Sequence, residues 1–485
     1  MACAGACRMR SRVPRLWTSE AGASWEQVGR AVDAHAIAQT VMAQLTGGVF
    51  LTGFALALGA GSFMIGLLAA IPLATKVAQL VLSWWIERAG HWRRWTIAGA
   101  AVSRTSLLLV AVLAVTQGYP SIRLALLVAI LALSSLAASV FELSFLTWMA
   151  ELIPEPLRGV FWGKRGRNAG IVGIIASILA SLLLDKSSAT SSALQPGFAV
   201  VFGAGALIGI GGIVFLRTLP APRRQHSRED GVDLASTLRT PLRDRNYRLF
   251  LIFSALWSFT SGAMAPFYMV YMLRRLDLSF LEVTILTAIT NSLMALTQTH
   301  WGRLGDHFGT KPVLRIGAYL IALTPLMWLA TAPGRAWPVV IVQILSGVGW
   351  SAFHVSQSNL VLKLAPADNR PSYLGSFGAA TGLAEGTAPL IGGALLALIA
   401  TSNVPTVRVF HVMMLIQLVL FAVATFVPRW IVEPGGTAVG HLIRVMARFR
   451  QMDASQPVSL VLEYGYTHLA RIADLIAREF PRDAE

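Results

Sequence analysis

Five ionisable side chains occur inside long apolar segments of this sequence: Lys76, Arg104, Glu142, His354 and Glu385. Each is 10 to 12 residues from one end of its segment, which corresponds to about 15 Å or slightly more along an α-helix. The hydrocarbon core of a bilayer is about 30 Å thick, so all five groups share one layer near its middle. Inserting a charge there costs roughly 2.5–3.5 kcal/mol, and such groups normally pair or face water. Acids, cations and a histidine at one depth are suited to binding a polar solute and carrying a proton.

The composition shows why a bilayer is the relevant solvent. Of the 485 residues, 55% are hydrophobic and 13% are charged, and the mean hydropathy is +0.61. A soluble protein of this size carries roughly a quarter charged residues. Twelve apolar stretches are long enough to cross a bilayer as helices. They lie near residues 36–60, 62–86, 95–116, 122–152, 168–184, 198–216, 247–273, 279–301, 313–333, 337–363, 373–400 and 407–429. We therefore predict an all-α polytopic membrane protein.

The basic residues are distributed unevenly along the chain. The net charge is +16, and 32 of the 40 Lys and Arg residues fall in the two terminal segments and in alternate loops between the apolar stretches. This asymmetry is the positive-inside pattern and predicts that both termini are cytoplasmic, in a plasma or inner membrane. Nucleic-acid binding is disfavoured, because no basic cluster is interleaved with stacking aromatic residues.

The chain divides into two similar halves. A polar segment at 217–246 separates six apolar stretches from six others, which predicts an N-terminal arm (1–32), two six-helix bundles (33–216 and 247–430), a central cytoplasmic loop (217–246) and a tail (431–485). Shifting the sequence by 212 residues aligns 139–170 with 351–382 at eight identities and pairs Glu142 with His354. Two pseudo-symmetric bundles with a substrate site between them are a common transporter architecture.

The midplane groups suggest two kinds of chemistry. We expect Glu142 to neighbour Arg104 or Lys76, either as a cargo site or as a fixed ion pair that fastens helices. Because the second cation leaves this cluster at +1, it favours an anionic group on the cargo. Glu385 is surrounded by small residues, and desolvation favours its neutral form, so it is the candidate proton carrier. The ordinary pKa of histidine suits His354 for proton exchange, although a packing role remains an alternative. Polar residues expected to complete the cavity are Gln44, Gln298 and Gln357; each alone could instead form an interhelical hydrogen bond.

Short motifs then give a resemblance to a known family. The segment GRLGDHFGTK at 302–311 resembles the loop motif of the major facilitator superfamily, and a degenerate copy, SWWIERAGHWRR, occurs at 83–94. APLIGG at 388–393 is similar to another common element of that superfamily. The resemblance covers about residues 33–430. It implies a secondary transporter whose central cavity is lined by the fourth and tenth spans, which carry Glu142 and His354, and it identifies no substrate class.

The loop motif also implies a conformational latch. In the superfamily this motif is thought to close the cytoplasmic side, and ordinary topology-setting loop charge is the alternative. Gly309 supplies the positive φ that a sharp turn between antiparallel helices needs. The residues that the resemblance assigns to the latch are Glu87, Arg88, Gly90, Gly302, Asp306, Gly309 and Lys311, with Arg158 and Arg370 as partners.

The tail and the absence of certain sequence motifs narrow the range of possible functions. Residues 439–452 and 458–480 have amphipathic helical patterns, so the tail is expected to bind the membrane surface, the transporter's inner face or a protein partner. No phosphate-binding loop, metal site or nucleophile–base pair is found, so we expect neither a cofactor nor an enzyme. We predict a monomeric secondary transporter of a small polar or anionic cargo, working by alternating access and coupled to protons. The alternative is a non-transporting sensor or assembly protein that acts through its tail.

Overall fold

A computed structural model of the chain describes residues 25–89, 91–153, 155–188, 194–220, 241–366, 370–400 and 406–433. The described part contains no β-strand and is built from helices, as predicted. These are α1 (Trp25–Thr46), α2 (Gly48–Ala57), α3 (Ser62–Ala89), α4 (Trp92–Val115), α5 (Pro120–Leu152), α6 (Glu155–Ser188), α7 (Leu194–Arg217), α8 (Arg245–Arg274), α9 (Phe280–Phe308), α10 (Thr310–Ala322), α11 (Thr324–Leu329), α12 (Trp337–Leu364), α13 (Arg370–Ala400) and α14 (Thr406–Phe426). A 3₁₀ turn, Val427–Trp430, follows.

The helices match the predicted membrane spans. In the described part of the chain, eleven helical segments are long and apolar enough to cross a bilayer. Helix α3 occupies the remaining predicted position, with a shorter apolar stretch, Ser62–Thr75, among its described residues. Large apolar side chains such as Leu109, Leu179 and Leu207 are more than half exposed on the outer surface of the bundle. Such a surface is stable in lipid, so the chain is an integral membrane protein.

The first helix begins earlier than predicted. Helix α1 starts at Trp25, eleven residues before the apolar stretch and inside the predicted N-terminal arm. Its first turns contain Asp33 and His35, and His35 is fully buried against the rest of the first half. The predicted bundle boundary at residue 33 therefore falls within a helix. The amphipathic tail and most of the central loop lie outside the described residues, and their roles stay predictions.

Two close helix crossings reveal the internal repeat. A Cβ atom added at Gly99 of α4 would lie 2.9 Å from the backbone nitrogen of Phe141 in α5. A Cβ atom added at Gly317 of α10 would lie 2.8 Å from the backbone nitrogen of Phe353 in α12. Phe141 and Phe353 are partners in the 212-residue shift. The two halves thus use the same glycine-dependent crossing, so the predicted pseudo-symmetric bundles are confirmed.

The two halves are joined at the end of the bundle where α6 ends and α9 begins, here called the Asp185 side. The Asp185 carboxylate accepts hydrogen bonds from the backbone N–H groups of Phe280 and Leu281, each at 2.9 Å. One turn away, the Ser181 and Thr284 hydroxyls lie 2.6 Å apart. The carboxylate thereby satisfies the first two N–H groups of α9, which its own helix cannot bond. It also interacts favourably with the positive end of the helix dipole.

At the opposite end of the bundle, here called the Glu433 side, no hydrogen bond between described residues connects the two halves. Between pairs of described residues, every hydrogen bond that connects the two halves lies on the Asp185 side. Helices α3 and α13 also touch near that side, where Gly66 lies against the carbonyl oxygen of Pro389. The halves are therefore joined by hydrogen bonds on the Asp185 side, and the space between them is called the cleft.

Replacing Asp185 with alanine is expected to loosen the Asp185 side. Hydrogen bonds to a charged acceptor contribute about 1.5–3 kcal/mol each, so losing two should increase separation of the halves about tenfold or more. The measurement is the maleimide labelling rate of a Thr284→Cys reporter, buried at 5% exposure, in a chain with Cys3 and Cys7 replaced by serine. Asp185→Asn keeps one acceptor oxygen and should have a smaller effect. Equal labelling rates in all three backgrounds would show that this contact does not hold the halves together.

Candidate functional site

A groove lies between α1 and α6 in the first half. The groove has a volume of about 550 Å³ and is lined by Ala36, Gln39, Thr40, Ala43, Gln44, Arg165, Gly166, Ala169 and Gly170. A smaller cavity of about 70 Å³ lies closer to the Asp185 side and is lined by residues of both halves, including Ser177, Thr284 and Asn291. Gln44 lines both spaces. The predicted cavity residue Gln44 therefore lies where the open groove meets the closed end of the cleft.

A second polar cluster lies in the second half and brings together two predicted residues. The Ser258 hydroxyl of α8 donates to Oε1 of Glu385 in α13 at 3.4 Å. His354 of α12 is close enough to Glu385 for the carboxylate to act on it electrostatically. The His354 ring is also stacked on Trp350, with the ring centroids 5.1 Å apart. This arrangement places a carboxylic acid and an imidazole in the same part of the second half.

Arg104 has a different position from the one expected. Its side chain is 2% exposed, and Nη1 donates to the carbonyl oxygen of Gly209 in α7 at 2.5 Å. The guanidinium carbon lies 5.5 Å from the centroid of the Phe141 ring. A backbone carbonyl and an aromatic face therefore stabilise this charge. Arg104 fastens α4 to α7 and is not among the residues that line the groove.

Glu142 is exposed on α5, close to the helix that carries Lys76. One turn earlier, the Ser139 hydroxyl points to the carbonyl oxygen of Thr75 at 3.5 Å, which places this face of α5 against α3. The Lys76 side chain lies outside the described residues, so its pairing with Glu142 remains a prediction. Of the other predicted cavity residues, Gln298 is exposed on α9 and Gln357 is half-buried on α12.

Three polar residues that sequence reasoning missed surround the start of the groove. His35 is completely buried, and its Nδ1 donates to the carbonyl oxygen of Gly212 at 3.1 Å. Arg165 lies over the Phe145 ring at 5.2 Å and interacts electrostatically with Asp33. His35 and Asp33 precede the predicted first span, and Arg165 was counted as a loop charge. The available signal was the spacing of His35 and Gln39, four residues apart on one helical face.

The loop motif at 302–311 lies on the Glu433 side and is bonded to the chain that follows α14. Gly309 has φ +96°, as the predicted turn requires. The Lys311 ammonium donates to the carbonyl oxygens of Ile431 at 2.6 Å and Arg429 at 3.2 Å. Asp306 is exposed and forms no hydrogen bond or ion pair with the described residues. Lys311 is therefore tied to the chain that follows α14.

Glu433 organises this region. Its carboxylate accepts hydrogen bonds from the backbone N–H groups of Thr310 at 2.8 Å and Lys311 at 2.7 Å, and from the Lys363 ammonium at 2.8 Å. Burial raises the pKa of Glu433, but the hydrogen bonds from Lys363, Lys311 and Thr310 outweigh it, so the pKa lies below its ordinary value. Sequence reasoning placed Glu433 in the tail. The structure describes no side chains for four predicted latch residues, Arg158, Arg370, Glu87 and Arg88. Gly90 lies outside the described residues. The latch roles of these five residues and of Gly302 therefore stay predictions.

Comparison with known proteins agrees with this geometry. The Major Facilitator Superfamily model matches residues 250–442. Over these residues the chain is similar to the major facilitator superfamily. The nucleoside transporter NupG has a similar fold, with a TM-score of 0.62 and 16% identity over 83% of this chain and 98% of that one. The xylose transporter XylE from E. coli, in an inward-open conformation, has a TM-score of 0.63 and 15% identity over 86% of this chain and 99% of that one.

One relative is similar in sequence over a short region of 98 residues. The rubrofusarin-specific efflux pump aurT of Gibberella zeae is 32% identical over 98 residues. That match spans 20% of this chain and 18% of the relative's own length. The relative's cargo therefore bears on this chain only as a hypothesis.

Replacing Glu433 with glutamine is expected to lower stability by about 1–3 kcal/mol, because a neutral amide has one acceptor oxygen for three donors. Most of the loss should come from the backbone N–H groups, since the Lys363 side chain is 41% exposed and its ion pair is screened. The measurement is the melting temperature of the detergent-purified protein. Asp306→Asn is the matched control, because this exposed acid forms no hydrogen bond or ion pair with the described residues.

The effect of Glu433 should depend on pH in one direction. Because its pKa is lowered from 4.5 on folding, its stabilisation is complete above that value and is lost as pH falls through the folded pKa. The difference in melting temperature between the wild type and Glu433→Gln should therefore be constant from pH 8 to 6 and shrink below about pH 4.5. A difference that grows on acidification would contradict the assignment.

Proposed function

We propose that this protein is a secondary active transporter that moves a small polar or anionic solute through the cleft by alternating access, coupled to protons. The observation that carries the proposal is the asymmetry of the cleft. It is closed by hydrogen bonds between the halves on the Asp185 side, and the groove between α1 and α6 runs from Gln44 toward the Glu433 side. A site reached from one side only is what an alternating-access cycle requires in each of its end states.

The contacts on the two sides fit opposite stages of such a cycle. In this structure the Asp185 carboxylate holds the N-terminus of α9, and Asp306 is exposed. A latch that uses Asp306 would form only after the halves close on the Glu433 side, which requires the Asp185 contacts to break. We infer that the two carboxylates act alternately and that the Asp185 contacts belong to the state open to the Glu433 side.

The cluster of Glu385, His354 and Ser258 is the proposed site of proton coupling. A proton on Glu385 makes the carboxyl neutral, and its transfer to His354 creates an ion pair of unchanged total charge. Release of the proton leaves one negative charge in the cleft, which changes the affinity for a charged solute. Proton binding and solute binding are then linked through their effects on the same electrostatic potential. The Ser258 hydrogen bond keeps the Glu385 carboxyl oriented toward α8 in both forms.

The direction of transport follows from the same assay that tests the coupling. The relative from Gibberella zeae is named as an efflux pump, so we propose export as the working direction.

If the chain instead acted as a sensor or assembly protein through its tail, truncation after Glu433 would remove its activity. A transporter truncated at that point should keep solute movement across the membrane.

The test is solute movement across the membrane of proteoliposomes, with a metabolite mixture placed either inside or outside. Solutes that cross are identified by mass spectrometry, with and without a pH gradient. Glu385→Gln is expected to reduce gradient-driven accumulation of the solute about tenfold or more, because the amide cannot carry a proton. Exchange of solute without a gradient should persist, because it needs no net proton transfer. Asp277→Asn is the matched control, since Asp277 has φ +56° and asparagine tolerates that conformation. Equal gradient dependence in both variants would exclude Glu385 as the coupling group.

A further inference from the structure

The internal repeat shows which residues on the Glu433 side serve the shared fold. Arg93, at the start of α4, donates from Nη2 to the carbonyl oxygen of Arg217 at 2.7 Å. The sequence shift that relates the two glycine crossings places Arg93 on Lys311, whose ammonium donates to the carbonyl oxygen of Arg429 at 3.2 Å. The 212-residue shift places Arg217 on Arg429. Both halves therefore close their bundle with the same contact.

The second half carries further polar side chains at this place. Arg315 and Tyr319 follow Lys311 at intervals of four residues, so the three lie on one face of α10. The repeat places Ile97 and Ala101 at the equivalent positions of α4. The shared fold therefore does not require a guanidinium or a phenol here, and these groups need another explanation.

We propose that Arg315 and Arg429 bind the phosphate group of an anionic phospholipid in the leaflet on the Glu433 side. The site lies on the outer surface of the second half, where α10 meets the 3₁₀ turn that follows α14. This inference goes beyond the proposed transport function and does not depend on it.

On α10, Arg315 and Tyr319 form a pair of hydrogen-bond donors. Nη2 of Arg315 donates to the Tyr319 hydroxyl at 2.7 Å. The hydroxyl accepts this bond and keeps its own proton for donation. Because Arg315 precedes Tyr319 by one turn, the bond directs the hydroxyl toward the start of α10, on the Glu433 side. Arg315 is five residues from that start, or about 8 Å along the helix, so its long side chain can reach the membrane surface.

At the end of α14, Arg429 lies on an aromatic surface. Its guanidinium carbon is 4.1 Å from the centroid of the Trp430 ring and 5.4 Å from that of Phe426. Contact with a ring uses the face of the guanidinium and leaves N–H donors along its edge, which match the oxygens of a phosphate. All three side chains are exposed, and that of Arg429 forms no hydrogen bond or ion pair with the described residues. Its edge can therefore donate to a ligand.

The two guanidinium groups belong to one positive surface. Lys311 is bonded to the carbonyl oxygen of Arg429 and experiences the positive charge of Arg315. The acid that acts on Lys311 is Glu433, and the Lys363 ammonium already lies 2.8 Å from that carboxylate. These four cations and one acid leave a positive potential where α10 meets the 3₁₀ turn. An anion is attracted there before any specific contact forms.

The apolar surface beside these cations favours a lipid over a free phosphate. Val419, Val423, Phe426 and Trp430 are each more than half exposed, and they occur at intervals of three or four residues. This spacing places them along one side of α14 and the turn that follows it. A tryptophan and an arginine at the end of such a stripe are typical of the membrane interface. A phospholipid can cover the stripe with an acyl chain while its phosphate contacts the guanidinium groups, whereas a free phosphate can only do the latter.

The test is binding of defined probes to the full-length protein in detergent, with the Kd measured by native mass spectrometry. Phosphatidylglycerol carries a net negative charge, phosphatidylcholine keeps the phosphate but is zwitterionic, and glycerol phosphate keeps the charge without acyl chains. We expect phosphatidylglycerol to bind about tenfold more tightly than phosphatidylcholine, because only its charge is uncompensated. Glycerol phosphate should not bind measurably at the same concentration.

Variants assign the contact to the two arginines. Arg315→Gln and Arg429→Gln should each raise the Kd for phosphatidylglycerol about fivefold, as expected for one cation near a membrane surface. Trp430→Leu should raise it a few-fold, because Arg429 loses its aromatic support. Arg217→Gln is the matched control and should leave the Kd unchanged. The repeat places this exposed arginine at the position of Arg429, with Thr218 in place of the tryptophan.

Several results would overturn the assignment. Equal binding of the two phospholipids by the wild type, or an unchanged Kd in both Arg315→Gln and Arg429→Gln, would contradict it. A rise in the Kd as large in Arg217→Gln would show that general charge, and not this site, attracts the lipid. Glycerol phosphate binding as tightly as phosphatidylglycerol would make this a site for soluble phosphate. The melting temperature without added lipid should be equal in all variants, and if a glutamine variant unfolds, Arg429→Lys carries the comparison with a Kd between those of the wild type and Arg315→Gln.

Discussion

The need to satisfy every polar group without water determines where charges can lie in this protein. Within a bilayer an unbonded donor or an unpaired charge costs several kcal/mol, so each must find a partner inside the bundle. Arg104 finds a backbone carbonyl and an aromatic face, and Asp185 finds two N–H groups at a helix start. These partners belong to different helices. The same contacts that satisfy the charges therefore also hold the helices together.

Backbone contacts at glycine complete this arrangement. Lipid gives helices little hydrophobic reason to associate, so close approach and van der Waals contact become more important. Gly99 and Gly317 bring equivalent helix pairs together within the two halves, and Gly66 brings α3 against α13 between them. The first two contacts lie within the halves. The third lies between bodies that must move if the cleft opens on the Asp185 side, and smooth small-residue surfaces allow such movement without large side chains interlocking.

The sequence predicted the spans well and the polar partners poorly, for one physical reason. Hydropathy reports the average environment of about twenty residues, so the twelve spans were located to within a few residues at most ends. It treats polar residues at the ends of spans as loops, and so it missed Asp33, His35 and Arg165, which continue α1 and α6 beyond the apolar core. The partner of Lys311 could not be inferred either. Glu433 reaches the start of α10 only after α14 has returned the chain to the Glu433 side.

The two halves, built from one repeat, have come to carry different chemistry. Equivalent positions hold Glu142 in α5 and His354 in α12, so the pseudo-symmetric fold does not impose a symmetric site. Near the groove the first half has an excess of guanidinium groups, whereas the second half combines an acid with an imidazole. A fixed positive charge attracts an anion at every pH, while an acid–imidazole pair changes its charge with proton occupancy. In the proposed transport cycle, a change of proton occupancy in the second half alters the electrostatic potential in the cleft beside the first half, so solute binding and proton binding can be linked without a shared residue.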